Sequence, residues 1–207
     1  MKFFKLFLLL SLCLFVSYVS PAEARSSFFK NQTAKQIGVT SGIKIPHDLS
    51  GIDQNEQDVN FETLTGENGI LLFFVRSASW CRHCIFHLES ISKKGSILED
   101  AGYNIVVVSN DSPQKLARFS QKYYFTYPMI ADEDSAIIKA FGLMNSSYAP
   151  GTMYYGSAHP AIYVIDNHGV ILDKYFNEDF RKFPKVDEMR AVLDVIAEYK
   201  QVIKSGK

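Results

Sequence analysis

Cysteine is scarce in this sequence, with three in 207 residues, which excludes a disulfide-dense scaffold. Neither sign of charge is in excess, since 22 basic residues face 22 acidic ones, so no electrostatic reason exists to expect a nucleic acid partner. Repeats and low-complexity tracts are missing, and no apolar run beyond residue 19 is long enough to span a membrane. What is present is a chain that is 47% hydrophobic, enough for the core of one globular domain.

The first 24 residues have the order of a secretory signal peptide. Residues 1–5 are cationic, residues 6–19 are apolar, and Ala22 and Ala24 supply the small side chains of a cleavage site. The apolar run is shorter than the ~20 residues of a bilayer span, which favours cleavage over a retained anchor. We therefore expect an exported protein, periplasmic or secreted, that begins near Arg25 and has no stable membrane insertion.

Hydrophobic patterning divides the remaining chain into a lead-in and an α/β domain. Residues 25–60 are polar and predict an irregular lead-in, followed by a short strand near Phe61–Leu64. In residues 61–207, apolar runs typical of buried strands alternate with helical periodicity. The alternation requires a parallel core and a later hairpin adds an antiparallel edge, so we predict a central mixed β-sheet flanked by helices. The expected elements are strand 70–75, helix 84–98, strand 104–109, helix 112–124, strand 127–131, a helix from a cap at Asp134 to Phe141, hairpin 161–176 and helix 186–203.

Cys81 and Cys84 are the residues to which reactive chemistry can be assigned. They are three residues apart, so a bridge between them closes too short a loop to stabilise the fold. They lie where the first buried strand gives way to a helix, and N–H groups at a helix N-terminus lower the pKa of a thiol, as do the neighbouring charges of Arg82 and His83. A thiolate beside a second thiol can attack a disulfide and then resolve the mixed intermediate. We predict that Cys81 is the exposed attacking thiol and Cys84 the buried resolving one.

The arrangement of strand, Trp80-Cys81-x-x-Cys84, helix and a later His159-Pro160 before a hairpin resembles the thioredoxin superfamily. The additional strand–helix unit at residues 104–124 and the strand and turn at 163–170 resemble its AhpC/TSA, or redoxin, branch. The resemblance extends over residues 60–200. It implies a thioredoxin-like fold and an oxidoreductase with antioxidant activity.

The resemblance also implies roles for single residues. Cys81 and Cys84 would form a redox-active disulfide, and Pro160 would be a cis-proline whose loop faces them, with His159 alongside. Trp80, Arg82 and His83 would support the site. No cofactor and no metal is implied.

Thioredoxins have a buried acid six residues before the first cysteine, and this sequence has Val75 there. The proton of the second thiol must then be handled by another group or by water. The candidates are His83, His87 and His159.

Peroxiredoxins carry Pro-x-x-x-Thr/Ser-x-x-Cys around the cysteine that reacts with peroxide. When Cys84 is aligned with that cysteine, Ser77 takes the proline position and Cys81 the Thr/Ser position. The main expectation is therefore a thiol–disulfide oxidoreductase that acts on protein thiols and disulfides with a redox partner protein. The alternative is a peroxiredoxin-like peroxidase that reduces hydroperoxides.

Two further hypotheses concern the surroundings of the cysteines. Cys81 and Cys84 with His87 or His159 could bind a soft metal, as in a metal-binding chaperone. The loop at residues 143–159 is rich in Tyr, Ser and Gly, and its aromatic side chains either pack the loop or form an apolar surface for a partner.

Overall fold

The buried apolar runs of the sequence form the centre of a seven-stranded sheet, with helices on both faces. The computed structural model describes residues 37–206. The predicted signal peptide and the first part of the lead-in lie outside the described residues. A mixed sheet flanked by helices, as predicted, is confirmed.

The sheet has the strand order β2-β1-β5-β4-β3-β6-β7. Its three central strands are parallel, and the later hairpin and the two short N-terminal strands add antiparallel neighbours at its two sides. The strands are β1 (Gly51–Asp53), β2 (Asp58–Val59), β3 (Gly69–Phe74), β4 (Tyr103–Ser109), β5 (Met129–Ala131), β6 (Ala161–Asp166) and β7 (Ile171–Phe176).

Six helices accompany these strands within the described part of the chain, the last of them after β7. None of those six is both long and apolar enough to cross a bilayer. They are α1 (Phe61–Leu64), α2 (Arg82–Lys94), α3 (Ser96–Glu99), α4 (Pro113–Tyr123), α5 (Ala136–Ala140) and α6 (Val186–Lys204).

The side chains of β3 alternate between two apolar cores, one on each face of the sheet. Leu71 and Phe73 face the core built with α2, α4 and α6, whereas Leu72 and Phe74 face the core built with α1 and α5. Because each face is covered by helices, β3 is apolar throughout rather than alternating with polar residues. Burial of each such side chain contributes about 1.5–3 kcal/mol.

The lead-in differs from the prediction. Part of it forms β1 and β2 instead of irregular chain, and Phe61–Leu64 is a helix rather than a strand. The physical reason is a capping box: the Asn60 side chain accepts the Thr63 N–H at 2.9 Å, and the Asn60 N–H donates to the Thr63 hydroxyl at 3.0 Å. These two hydrogen bonds satisfy backbone N–H groups that have no partner at the start of a helix, so they favour a helix over a strand at these residues.

The cap of α5 also differs from the prediction. Asp132, not Asp134, accepts the N–H groups of Ile137 and Ile138, at 3.1 and 2.8 Å. Ser135 adopts a left-handed conformation with φ of 56°, which turns the chain so that the earlier aspartate reaches the first helical turn. The expected cap at Asp134 is therefore wrong by two residues.

Candidate active site

The cysteine pair lies at the carboxyl edge of the parallel strands β3 and β4. Residues 77–80, here called the approach turn, lie in the connection between the end of β3 and α2, and Asp111 follows β4 at the same edge. Ligand and reaction sites of α/β sheets commonly form at this edge, because the loops after neighbouring parallel strands meet there.

Cys81 and Cys84 are joined by a disulfide, with their Cα atoms 5.3 Å apart. Cys81 is the N-cap of α2, and its sulfur accepts a hydrogen bond from the Cys84 N–H at 3.3 Å. The sulfur thus lies at the positive end of the helix dipole, where a thiolate is stabilised.

The prediction that Cys81 is exposed is wrong for the disulfide form. Cys81 is 3% exposed and Cys84 is fully buried. Both side chains belong to the apolar core on the α2 face of the sheet, which encloses the bridge. Cys81 remains the only one of the two with any solvent contact.

Arg76 and three aromatic side chains form what we call the aromatic collar, beside the approach turn. The Arg76 guanidinium lies 4.9 Å from the ring centre of Trp80 and 4.3 Å from that of Phe180, and it donates a hydrogen bond to the Tyr148 hydroxyl. Trp80 also packs edge-on against Tyr154. Such contacts between a cation and aromatic rings stabilise the guanidinium and fix the rings.

Arg82 and His83, predicted as supporting residues, are both exposed on the first turn of α2. The Arg82 guanidinium lies 5.3 Å from the ring centre of Phe86, and His83 packs edge-on against Phe180 at 5.8 Å. Solvent screens charges in such positions, so their effect on the Cys81 sulfur is weaker than that of the helix N-terminus itself.

His159 and Pro160 precede β6, but the peptide bond between them is trans, since residues 37–206 contain no cis peptide. The predicted cis-proline is therefore wrong. The physical reason is the ordinary preference of an X–Pro bond, for which the trans form is more stable by about 0.5–1 kcal/mol. Before this bond, the His159 N–H donates to the Leu143 carbonyl at 2.7 Å, and Ala158 pairs with Met144. The His159 ring packs edge-on towards Phe176.

His87 lies one turn beyond Cys84 on α2 and is buried between aromatic rings. Its ring stacks on Phe183 at 4.2 Å and lies 5.8 Å from Phe73. Burial lowers the pKa of His87 to about 3. It is therefore neutral at physiological pH, and burial disfavours the charged form that it would take on accepting the proton of the second thiol.

No cluster of three or more metal-ligating side chains occurs between residues 37 and 206. The described part of the chain therefore gives no support to the metal-chaperone hypothesis. The ring of His87, one of the two histidines that this hypothesis named, is stacked against Phe183.

Asp111 is a site residue that the sequence analysis missed. It is buried, and its carboxylate accepts hydrogen bonds from the approach turn. The available signal was a polar Ser109-Asn110-Asp111 segment directly after the apolar run at residues 105–108, at the edge where β3 also ends.

The fold and the site together define a thioredoxin-like protein with a disulfide at the N-terminus of α2. Within that class, the AhpC/TSA family model matches residues 42–174. The chain therefore belongs to the AhpC/TSA family, as the resemblance implied, and its relatives support a redox enzyme.

Individual relatives are peroxiredoxins. Peroxiredoxin Bcp of Escherichia coli (strain K12) is 26% identical over 129 residues, which cover 62% of this chain and 80% of that protein. The chloroplastic peroxiredoxin Q of Arabidopsis thaliana is 26% identical over 175 residues, covering 83% of this chain and 73% of that protein.

Solved structures share the fold. Peroxidoxin BcpB from Mycobacterium tuberculosis has a TM-score of 0.60 at 21% identity, covering 78% of this chain and 97% of that chain. Peroxiredoxin 6 of Arenicola marina has a TM-score of 0.70 at 15% identity, covering 79% of this chain and 76% of that chain. The comparisons favour the peroxidase, which was the alternative, over the main expectation of protein disulfide exchange.

Proposed function

We propose that the protein is a thiol-dependent peroxidase in which Cys81 and Cys84 cycle between dithiol and disulfide. The observation that carries the proposal is the bridge between the N-cap of α2 and its first turn, in a member of a family whose relatives are named peroxiredoxins. A thiolate at a helix N-terminus is a nucleophile, and a second thiol within bonding distance completes the cycle.

In the proposed cycle, the Cys81 thiolate attacks the terminal oxygen of a hydroperoxide. The O–O bond breaks, the leaving alkoxide takes a proton to become an alcohol, and Cys81 becomes a sulfenic acid. The Cys84 thiol then attacks the Cys81 sulfur, the S–S bond forms and water leaves. Two thiols of a reductant, or one dithiol, then reduce the bridge by exchange, which restores both cysteine thiols and leaves the reductant as a disulfide.

A second candidate is disulfide exchange with proteins. It is favoured by Ser77 and Cys81, which stand where the peroxiredoxin motif has its proline and its Thr/Ser. It is also favoured by exposed apolar side chains near the aromatic collar, namely Met153, Tyr154, Tyr155 and Phe180.

Peroxide consumption tests the proposal against this second candidate. With dithiothreitol as reductant, the wild-type protein is expected to consume hydrogen peroxide or cumene hydroperoxide well above the background rate. The matched control is the double variant Cys81→Ser/Cys84→Ser, which should show background only. If the wild type consumes no more peroxide than this control, the peroxidase proposal is wrong. Reduction of insulin that depends on both cysteines would then support disulfide exchange.

We also propose that the protein is exported and processed. The support is the order of residues 1–24, a cationic start, an apolar run and the small residues Ala22 and Ala24. Expression with the full leader is expected to yield an exported protein whose N-terminus is Arg25, as measured by intact mass. An Ala24→Asp variant, which alters the cleavage position, should accumulate uncleaved. Recovery of the wild type in the membrane fraction with residues 1–24 attached would contradict export with cleavage.

A further inference from the structure

A buried acid lies directly beside the approach turn, and the proposed cycle does not use it. Asp111 is 2% exposed, and four hydrogen-bond donors converge on its carboxylate. They are the Ser77 hydroxyl at 2.9 Å, the Ala78 N–H at 2.7 Å, the Ser79 hydroxyl at 2.9 Å and the Ser109 hydroxyl at 2.8 Å.

Three of these four donors come from consecutive residues of the approach turn. One carboxylate oxygen accepts the hydroxyls of Ser77 and Ser79, and the other accepts the backbone N–H of Ala78. The Ser77 oxygen in turn accepts the N–H groups of Ser79, at 2.9 Å, and Trp80, at 3.2 Å. The backbone of the approach turn is thus attached to a side chain that follows the neighbouring strand.

We propose that Asp111 is the positioning residue of the active site, because it holds the approach turn in the conformation that places Cys81 at the N-cap of α2. The inference rests on the proposed role of Cys81 as the reactive thiol, and it applies to attack on a peroxide or on a disulfide alike. Asp111 acts through residues 77–80 and touches neither sulfur in this role.

The need for such a residue follows from the reaction itself. The disulfide also restrains the turn, but it opens in every cycle, whereas the bonds to Asp111 involve no redox-active atom. The hydrogen bonds to Asp111 therefore hold the approach turn in the reduced protein, where the bridge is open. A preorganised site needs such support from surrounding residues.

Only a carboxylate fits these donors. An ionised carboxyl has two accepting oxygens, each able to accept two bonds, whereas an asparagine side chain has one accepting oxygen and an amide that donates. In Asp111→Asn, the amide NH2 would therefore take the place of one accepting oxygen, and two of the four donors would lose their acceptor. The sequence has Val75 where thioredoxins have their buried acid, and here a buried acid reaches the site from β4 instead of β3.

Ser79 and Ser109 provide a matched pair of tests. Each donates one hydroxyl bond to the same carboxylate, but Ser79 belongs to the approach turn and Ser109 is the last residue of β4. If Asp111 only stabilises the fold, Ser79→Ala and Ser109→Ala should have similar effects on the protein. If Asp111 positions the approach turn, only Ser79→Ala should change the reactivity of Cys81.

The readout is the rate at which iodoacetamide alkylates Cys81 in the reduced protein, measured against pH and assigned by peptide mapping. In Ser79→Ala, the pKa of the Cys81 thiol is expected to rise, and alkylation at pH 7 to slow by roughly fivefold, the factor that matches one lost hydrogen bond. Ser109→Ala should leave the alkylation profile unchanged while lowering the melting temperature.

Asp111→Asn is expected to slow alkylation at least as much as Ser79→Ala. Loss of a negative charge alone would lower the pKa of a nearby thiol and speed its alkylation. Slower alkylation would therefore indicate a change in the conformation of the approach turn and not the loss of the charge. If Asp111→Asn does not fold, the serine pair still decides the question.

Equal effects of Ser79→Ala and Ser109→Ala on alkylation, or no effect of either, would overturn the positioning role. Failure of the proposed function is separate, because peptide mapping of the wild type shows whether Cys81 is the faster thiol and no peroxide is used. Faster alkylation of Cys84 in the wild type would overturn the assignment of Cys81, and this inference with it.

Discussion

Replacing Cys81 by serine is expected to reduce turnover by about a thousandfold or more, since the nucleophile of the cycle is then lost. A serine hydroxyl at the N-cap of α2 still accepts the Cys84 N–H, so the helix start is preserved. The variant should therefore fold normally, as far-ultraviolet circular dichroism can verify, while steady-state peroxide consumption falls to background.

Cys84→Ser is expected to lose turnover as well but for a different reason. Cys81 can still attack the peroxide, yet no second thiol is present to attack the resulting sulfenic acid and release water, so the sulfenic acid accumulates. Mass spectrometry after one equivalent of peroxide and dimedone should show an adduct on Cys81 in Cys84→Ser, and none on Cys84 in Cys81→Ser. Equal labelling of both variants would contradict this division of roles.

The core of the fold is predictable from local sequence patterns. The strand β3 is apolar throughout, β4 has the apolar run 105–108 at its centre, and the spacing of apolar residues along α6 has the period of a helix. Periodicity indicates which residues are buried, and burial determines most of a sheet that is covered by helices on both faces. The short elements of the lead-in do not follow from periodicity, because β1 and β2 are two or three residues long and α1 depends on a single capping box.

The candidate site is predictable only where its residues are close in sequence. Cys81 and Cys84 are evident from their spacing and from the strand before them. The contact of Asp111 with Ser77 joins residues 34 positions apart, and that of Arg76 with Tyr148 joins residues 72 positions apart. No local sequence pattern predicts either contact. The cis-proline prediction rests on the family resemblance and not on a local pattern, and the structure has the trans form at this position.

The buried histidine leads to a large expected effect on stability. The pKa of His87 is about 3 in the folded protein and about 6.5 in an unfolded chain, because burial between Phe73 and Phe183 opposes the charged form. Between these two values the unfolded state binds more protons than the folded state. The free energy of unfolding contributed by His87 is therefore fully present above pH 6.5 and falls as the pH decreases towards 3.

Each pH unit in that window is expected to remove up to about 1.4 kcal/mol from the free energy of unfolding. Carboxyl groups also titrate there, so the wild type must be compared with a variant that lacks only the histidine. His87→Leu keeps an apolar side chain against Phe183 and removes a ring whose Nε2 is buried without a hydrogen-bond partner. In urea unfolding, the free energy of unfolding of His87→Leu minus that of the wild type should therefore increase by up to about 1.4 kcal/mol for each pH unit of acidification below pH 6. Parallel stability curves for the two proteins would mean that His87 gains access to water and is charged in the folded state.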